Sequence, residues 1–169
     1  MNNINSVPNK LQPVLYGALI MTAVSVLPVI SVVNLFCCAG ILLGGFSGIY
    51  FLNRQISGSE YKISNTDAVM TGALSGVLSA VLVSGIGLLL MLFSKNNPFI
   101  EMNKLFQEFN LSFPPEVEKQ MNSLSDEVSK YGFSPTFVIF DFVKNLVMYP
   151  LFGILGAFLG KSVFTKKTG

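Results

Sequence analysis

The sequence predicts an all-α integral membrane protein, a four-helix bundle made of two helical hairpins with an amphipathic helical pair outside the membrane. Hydrophobic residues make up 51% of the 169 residues and charged residues only 12%, whereas a soluble domain carries about a quarter charged residues. Four stretches are apolar and long enough to cross a bilayer. They are Val14–Ile30, Leu35–Leu52, Ala68–Phe93 and Pro135–Phe164. We expect one membrane domain, 1–169, in which 95–134 is the extramembrane insertion.

The first two stretches predict a tight helical hairpin. Two helices of about 17 residues, each about 25 Å long at 1.5 Å per residue, must fit between Val14 and Leu52. Only a short turn is left between them. Pro28 and Asn34 bracket this turn, because both residue types favour breaks between helices.

A polar motif opens the third span. Ser64 and Asp67 have the spacing of a capping box, in which each residue satisfies an amide that the first helical turn leaves unpaired. Asp67 also lies at the end of the helix where the dipole favours negative charge. We therefore assign Asp67 a structural role.

The block between the third and fourth spans predicts two amphipathic helices. In the first, Phe99, Met102, Leu105, Phe106 and Phe109 recur at helical spacing. Pro115 is placed to start the second helix and Gly132 to cap its end. The second helix carries a narrow stripe that suits helix packing, formed by Val117, Met121, Leu124, Val128 and Tyr131. This stripe either packs against the preceding helix or docks a partner.

Small residues recur at helix-packing spacing within the spans. They are Gly40, Gly44 and Gly48 in the second span, Gly72 and Gly76 in the third, and Gly153, Gly156 and Gly160 in the fourth. In lipid, small residues let helix backbones approach closely and pack. Two interpretations stay open, packing inside the bundle and oligomerisation through a remaining glycine face.

Chemistry-bearing residues are sparse. The chain contains no histidine, which removes the commonest general base and transition-metal ligand. We therefore predict a protein that is not an enzyme and that has no metal site and no cofactor. One polar group lies in an apolar stretch, where Asp141, Lys144 and Asn145 share a helix face. It is either an interfacial ion pair or a polar mouth at the outer end of the bundle.

The distribution of charge predicts the topology. Basic residues flank the spans on one side: Lys10, Arg54, Lys62, Lys161, Lys166 and Lys167. The opposite side has Lys95, Lys104, Lys119 and Lys130, diluted by acidic residues of the 95–134 block. Because basic residues near span ends favour the cytoplasm, we expect both termini to be cytoplasmic. The net charge of +2 argues against a nucleic-acid partner.

The order of these elements resembles a group of bacterial four-span membrane proteins of unknown function found in Bacteroidetes. The residues that carry the resemblance are Ile63-Ser64 through Gly72-Ala73, Asn97-Pro98, the Glu116–Asp126 stretch and the Lys166-Lys167 tail. The resemblance implies the cytoplasmic membrane of a bacterium and supplies no catalytic or binding residues. We expect a lipid-embedded protein that self-associates or joins a larger membrane complex. The alternative is a small transporter or channel whose outer mouth is formed by Asp141, Lys144 and Asn145.

Overall fold

The computed structural model is all-α, as predicted, and describes residues 8–27, 38–94, 97–109 and 114–165. These residues form six α-helices and no strand. The helices are α1 Leu11–Val26, α2 Ala39–Gln55, α3 Asn65–Phe93, α4 Pro98–Glu108, α5 Pro115–Tyr131 and α6 Pro135–Thr165. The predicted turn at Pro28 and Asn34 and the Lys166-Lys167 tail lie outside the described residues.

Two helices in the described part of the chain are long and apolar enough to cross a bilayer. They are Asn65–Phe93, with mean hydropathy 2.4, and Pro135–Phe164, with mean hydropathy 1.6. The first two predicted spans correspond to α1, with 16 described residues, and α2, with 17. At 1.5 Å per residue these two helices measure about 24 and 26 Å, which is shorter than the roughly 30 Å hydrocarbon core of a bilayer.

Helix boundaries follow local capping chemistry. Asn97 accepts a hydrogen bond from the Phe99 amide at 3.1 Å and begins α4. Pro115 starts α5 as predicted, because its missing amide would have no partner in a first turn. Gly132 ends α5 with a φ of 80°, a left-handed conformation that glycine adopts at little steric cost. The predicted cap at Gly132 is therefore confirmed.

The chain divides into two compact units, one formed by residues 1–83 and 144–169 and the other by residues 84–143. In the first unit, α1, α2, the first part of α3 and the last part of α6 pack through glycines. A Cβ atom built on Gly72 would lie 2.5 Å from the Gly153 carbonyl oxygen, and one on Gly76 would lie 2.5 Å from Cα of Pro150. Backbone therefore meets backbone where α3 and α6 pack.

The second unit holds the last part of α3, the helices α4 and α5, and the start of α6. The Asn97 side-chain amide donates hydrogen bonds to the carbonyl and hydroxyl oxygens of Ser125 at 3.0 and 3.1 Å. These bonds attach the start of α4 to α5. Phe99 is 5% exposed and packs edge-on against Phe137, with ring centroids 5.4 Å apart. α4 and α5 occupy the positions of the predicted amphipathic pair; their location outside a membrane stays a prediction.

Candidate functional site

A buried carboxylate at the start of α3 organises one end of the first unit. Asp67 is 1% exposed, and its Oδ1 forms an ion pair with Lys10 Nζ at 2.6 Å. Its Oδ2 accepts hydrogen bonds from the Ser64 amide and hydroxyl, both at 2.8 Å. The Ser64 hydroxyl in turn accepts from the Asp67 amide at 3.1 Å. The predicted capping box is therefore confirmed, and it also carries an ion pair.

Tyr61 completes this network from the connector between α2 and α3. Its phenol donates to Asp67 Oδ2 at 2.9 Å. Burial, and then the hydrogen bond to the carboxylate, raises the pKa of the Tyr61 phenol above its ordinary value. Both carboxylate oxygens of Asp67 are thus occupied, and this full set of partners is what burial of a charge requires. The arrangement holds the chain before α1 against the start of α3.

A row of buried polar side chains continues from Asp67 along α3. Its members recur every fourth residue, so they share one face of the helix. They are Asp67, Thr71, Ser75 and Ser79, each 0–1% exposed. The Ser75 hydroxyl donates to the Val14 carbonyl oxygen at 3.0 Å, and the hydroxyls of Ser79 and Thr22 lie 3.0 Å apart. Thr71 Oγ1 has no hydrogen-bond partner among the described residues. The row therefore joins α3 to α1 by interhelical hydrogen bonds and leaves one buried hydroxyl unpaired.

Basic side chains collect at the end of the first unit where Asp67 lies. We call this the basic end; it comprises Lys10, Arg54, Lys62 and Lys161. Lys10 pairs with Asp67, and Lys161 near the end of α6 donates to the Asn65 side-chain oxygen at the start of α3. Arg54 lies in the last turn of α2. The contacts show that these helix ends meet, which the sequence suggested only through the shared sign of their charge.

A surface cleft of about 280 Å³ opens at the basic end between the start of α1 and the end of α2. It is lined by Gln12, Pro13, Tyr16, Phe51, Arg54 and Gln55. The rings of Tyr16 and Phe51 stack with centroids 4.5 Å apart and planes tilted by 30°. The cleft thus combines one guanidinium and two side-chain amides with an aromatic wall.

The predicted polar mouth is divided between the two units. Asp141 belongs to the second unit, and Lys144 and Asn145 belong to the first. Asn145 is 4% exposed, Lys144 is exposed and Asp141 is half-buried. Each of the three residues has an interaction partner. Whether the group is an ion pair or the wall of a cavity stays a prediction.

All eight glycines assigned to helix packing are buried, and all belong to the first unit. A Cβ atom on Gly44 would overlap the Met21 side chain, and one on Gly156 would overlap the Leu42 carbonyl group. A Cβ atom on Gly160 would lie 3.1 Å from the Phe46 carbonyl oxygen, and one on Gly48 would lie 3.0 Å from a methyl carbon of Thr71. These faces are in contact with helices of the same chain. In contrast, Gly85 and Gly87 have no atom within 4 Å of a built Cβ.

The predicted docking stripe of α5 is unevenly buried. Met121 is 7% exposed within the second unit, whereas Val117 is 38% exposed. Leu124 and Val128 are half-buried. Met121 therefore packs inside the unit, and docking of a partner on the rest of the stripe stays a prediction.

Comparisons of this chain with family models, with curated proteins and with solved structures find no match. The resemblance to the Bacteroidetes group therefore stays a prediction. Among the described residues, no group of three or more acidic or cysteine side chains is placed to hold a metal ion.

Sequence reasoning missed two features of the first unit. The ion pair joins Lys10 to Asp67 across 57 residues, and no local spacing pairs residues so far apart. The polar row could have been found, because Asp67, Thr71, Ser75 and Ser79 recur every fourth residue. Considered one at a time, the serines of this row match the small residues that favour helix packing, so their shared polar face was not recognised.

Proposed function

We propose that the protein is an integral membrane protein of the bacterial inner membrane that acts without catalysis, by self-association or as a subunit of a larger membrane complex. One observation carries the membrane assignment, namely that large apolar side chains cover the helix surfaces while several polar side chains are buried beside the apolar core. Buried positions hold hydroxyls and a carboxylate, such as Ser75, Ser79 and Asp67. Large apolar side chains such as Leu155 and Leu159 are about half exposed, at 48% and 55%.

This distribution suits lipid as the surrounding medium. In water, leaving apolar surface exposed forfeits about 25 cal/mol per Å², whereas lipid tails solvate the same surface. Within a bilayer, close approach through small residues and interhelical hydrogen bonds supply the packing energy. Gly76 against Pro150 and Thr22 against Ser79 provide both kinds of contact. The short helices α1 and α2 are accommodated by local thinning of the bilayer or by flanking side chains that reach the interface.

The proposed topology is a four-span bundle with both termini in the cytoplasm. The basic end supports it, since Lys10, Arg54 and Lys161 lie where helix ends of the first unit meet. Cytoplasmic flanks of membrane helices carry an excess of lysine and arginine. The 95–134 block, which is richer in acidic residues, is then outside.

A direct test of the membrane assignment uses spin labels at exposed apolar positions. In a chain freed of its own thiols by Cys37→Ser and Cys38→Ser, cysteine replaces Leu155 or Leu159, and a control cysteine replaces the exposed connector residue Ser59. In vesicles, labels at the two leucine positions are expected to collide with oxygen far more often than with a water-soluble nickel chelate, because oxygen partitions into hydrocarbon. The Ser59 label is expected to show the reverse. Chelate-accessible labels at both leucine positions would overturn the assignment.

We propose that the protein self-associates through the exposed face of α3 that carries Gly85. Gly85 is open, and Leu89 and Phe93 on the same face are 52% and 82% exposed. Gly87 lies on the opposite side of the helix, in line with Met91, whose sulfur accepts from the Ser134 amide. The proposed occupant of the Gly85 face is a second copy of this chain.

Blue-native electrophoresis of the full chain in mild detergent tests this step. The wild-type protein is expected to migrate above the monomer. Gly85→Leu should weaken the assembly, because close backbone approach is lost, and Gly87→Leu serves as the matched control. A monomeric wild-type protein, or equal effects of the two variants, would contradict self-association through this face.

A small transporter or channel is the second candidate. The unpaired hydroxyl of Thr71 favours it, since an unsatisfied buried polar group is a position where a water or a passing polar ligand gains a hydrogen bond. In proteoliposomes, solute or ion flux that is abolished by Thr71→Val and by Asp141→Asn would support transport. Flux at the level of empty vesicles would remove this candidate.

A further inference from the structure

The cleft at the basic end has the chemistry of an anion site. We propose that it binds a phosphate group, and that in the membrane this group is the head group of an anionic phospholipid. The identification of the lipid rests on the proposed membrane location. The phosphate chemistry rests on the residues of the cleft alone.

Arg54 supplies the charge and the donors. The guanidinium is exposed and has no hydrogen-bond or ion-pair partner anywhere in the part of the chain that the structure describes. Its planar fork of donors matches two oxygens of a phosphate, a geometry that a lysine cannot reproduce. The amides of Gln12 and Gln55 also line the cleft, and neither has a partner among the described residues. The cleft therefore offers three polar side chains with unused hydrogen-bonding capacity.

The start of α1 adds a favourable field. Gln12 and Pro13 belong to the first turn of α1, a helix of 16 residues. In this turn the Leu11 amide donates to Asn9 Oδ1 at 3.0 Å, and Pro13 has no amide hydrogen. The Gln12 amide is therefore the donor without a helical partner that adds partial positive charge. An anion in the cleft would meet this helix end as well as Arg54. The end of α2 opposes it with partial negative charge, but the full charge of Arg54 lies in that same turn. Arg54 could serve only to balance the partial negative charge at the end of α2. That role accounts for its positive charge, but it does not account for the concave cleft between α1 and α2.

The surroundings of the cleft favour an amphiphile over a free anion. Tyr16 and Leu19 continue the α1 face that begins at Gln12, and they are 44% and 56% exposed. The face thus changes from polar to apolar as it leaves the basic end. An anionic phospholipid has the same order, with its phosphate at the membrane surface and its acyl chains along the helix. The volume of about 280 Å³ is close to the lower end of the roughly 300–1,000 Å³ typical of small-molecule sites.

Native mass spectrometry of the detergent-solubilised full chain tests the proposal, with phosphatidylglycerol as the probe and phosphatidylcholine as the zwitterionic comparison. The wild-type protein is expected to retain phosphatidylglycerol preferentially. Arg54→Gln should weaken this retention by roughly tenfold, the effect of losing a charge-assisted hydrogen bond. Retention by Arg54→Lys should lie between that of the wild-type protein and that of Arg54→Gln, because lysine keeps the charge but lacks the planar fork of donors. Lys62→Gln is the matched control, since Lys62 is an exposed cation of the basic end that does not line the cleft.

A competition arm identifies the source of the phosphate. The phosphatidylglycerol that depends on Arg54 is the amount retained by the wild-type protein but lost from Arg54→Gln. If millimolar inorganic phosphate does not displace this lipid, the occupant of the site is the lipid. If inorganic phosphate displaces it with the same dependence on Arg54, the phosphate site stands and its occupant is a free anion. Equal retention by the wild-type protein and Arg54→Gln, or no retention by the wild-type protein, overturns the site. The spin-label experiment reports on membrane insertion separately, so failure of the site and failure of the proposed function are distinguishable.

Discussion

Gly76→Ala probes the packing on which the first unit depends. A Cβ atom at this position would lie 2.5 Å from both Cα and N of Pro150, and 2.6 Å from the carbonyl carbon of Tyr149. Carbon atoms reach optimal contact at about 3.5–4.0 Å, so α3 and α6 must separate by about 1 Å. All three neighbours are backbone atoms, so no side-chain rotation relieves the overlap.

Two opposing effects set the change in the free energy of unfolding that Gly76→Ala causes. Overpacking of this kind costs about 1–3 kcal/mol, and replacing glycine by alanine within a helix returns up to about 1 kcal/mol. We expect Gly76→Ala to lower the free energy of unfolding by about 1–2 kcal/mol. Gly87→Ala in the same helix is the matched control, because no atom lies within 4 Å of its built Cβ. The control is expected to be neutral or stabilising by up to about 1 kcal/mol.

Both variants are compared by titration with a denaturing detergent in mixed micelles, with helicity followed by circular dichroism. The gain in helix propensity is common to both variants, so their free energies of unfolding should differ by the overpacking cost of about 1–3 kcal/mol. A difference within about 0.5 kcal/mol, the usual effect of a surface substitution, would refute the close approach of α3 and α6 at this position.

Three further predictions concern the polar residues. Asp67→Asn should lower the unfolding free energy by about 3 kcal/mol, because it leaves the Lys10 ammonium without its buried partner; thermal unfolding measures the loss. The hydrogen bond from the Ser134 hydroxyl lowers the pKa of Glu127 from its ordinary 4.5. The stabilisation from Glu127 should therefore be complete above pH 4.5 and disappear as the pH falls through the lowered pKa, as read from helicity. Thr71→Val, which removes a buried unpaired hydroxyl, should be neutral or stabilising in the same titration.

Each of these predictions has its own control. Lys10→Met combined with Asp67→Asn should recover part of the loss, and a purely additive double variant would argue against coupling. Glu127→Gln should remove the acid-dependent step, so an unchanged pH profile in that variant would assign the step to another carboxyl group. A loss above about 1 kcal/mol for Thr71→Val would mean that the hydroxyl has a partner.

The sequence predicted those parts of the fold that depend on local chemistry. The all-α class, the caps at Ser64 and Gly132 and the start of α5 at Pro115 follow from residue type and spacing within a few positions. The lengths of the first two spans were harder to predict. Both include residues of the 28–37 segment, which lies outside the described residues, and the described parts of α1 and α2 are shorter than the bilayer core.

Features built from distant residues could not be predicted in the same way. The Lys10–Asp67 ion pair and the cleft containing Gln12 and Arg54 depend on which helix ends meet. The charge distribution predicted only that these residues lie on the same side of the predicted spans. The glycine spacing predicted close packing but not the partners, such as Gly72 against Gly153, because any small residue on a neighbouring helix satisfies the same pattern.

Accessibility of single cysteines tests the proposed four-span topology most directly. In a chain freed of its own thiols by Cys37→Ser and Cys38→Ser, a cysteine is placed at Ser59 or at Ser123, both of which are exposed. A thiol reagent that does not cross membranes is then added to intact cells and to inverted vesicles. Ser59→Cys should react only in inverted vesicles and Ser123→Cys only in intact cells. Reaction of both positions from the same side would mean that α3 does not cross the membrane, and would contradict the four-span topology.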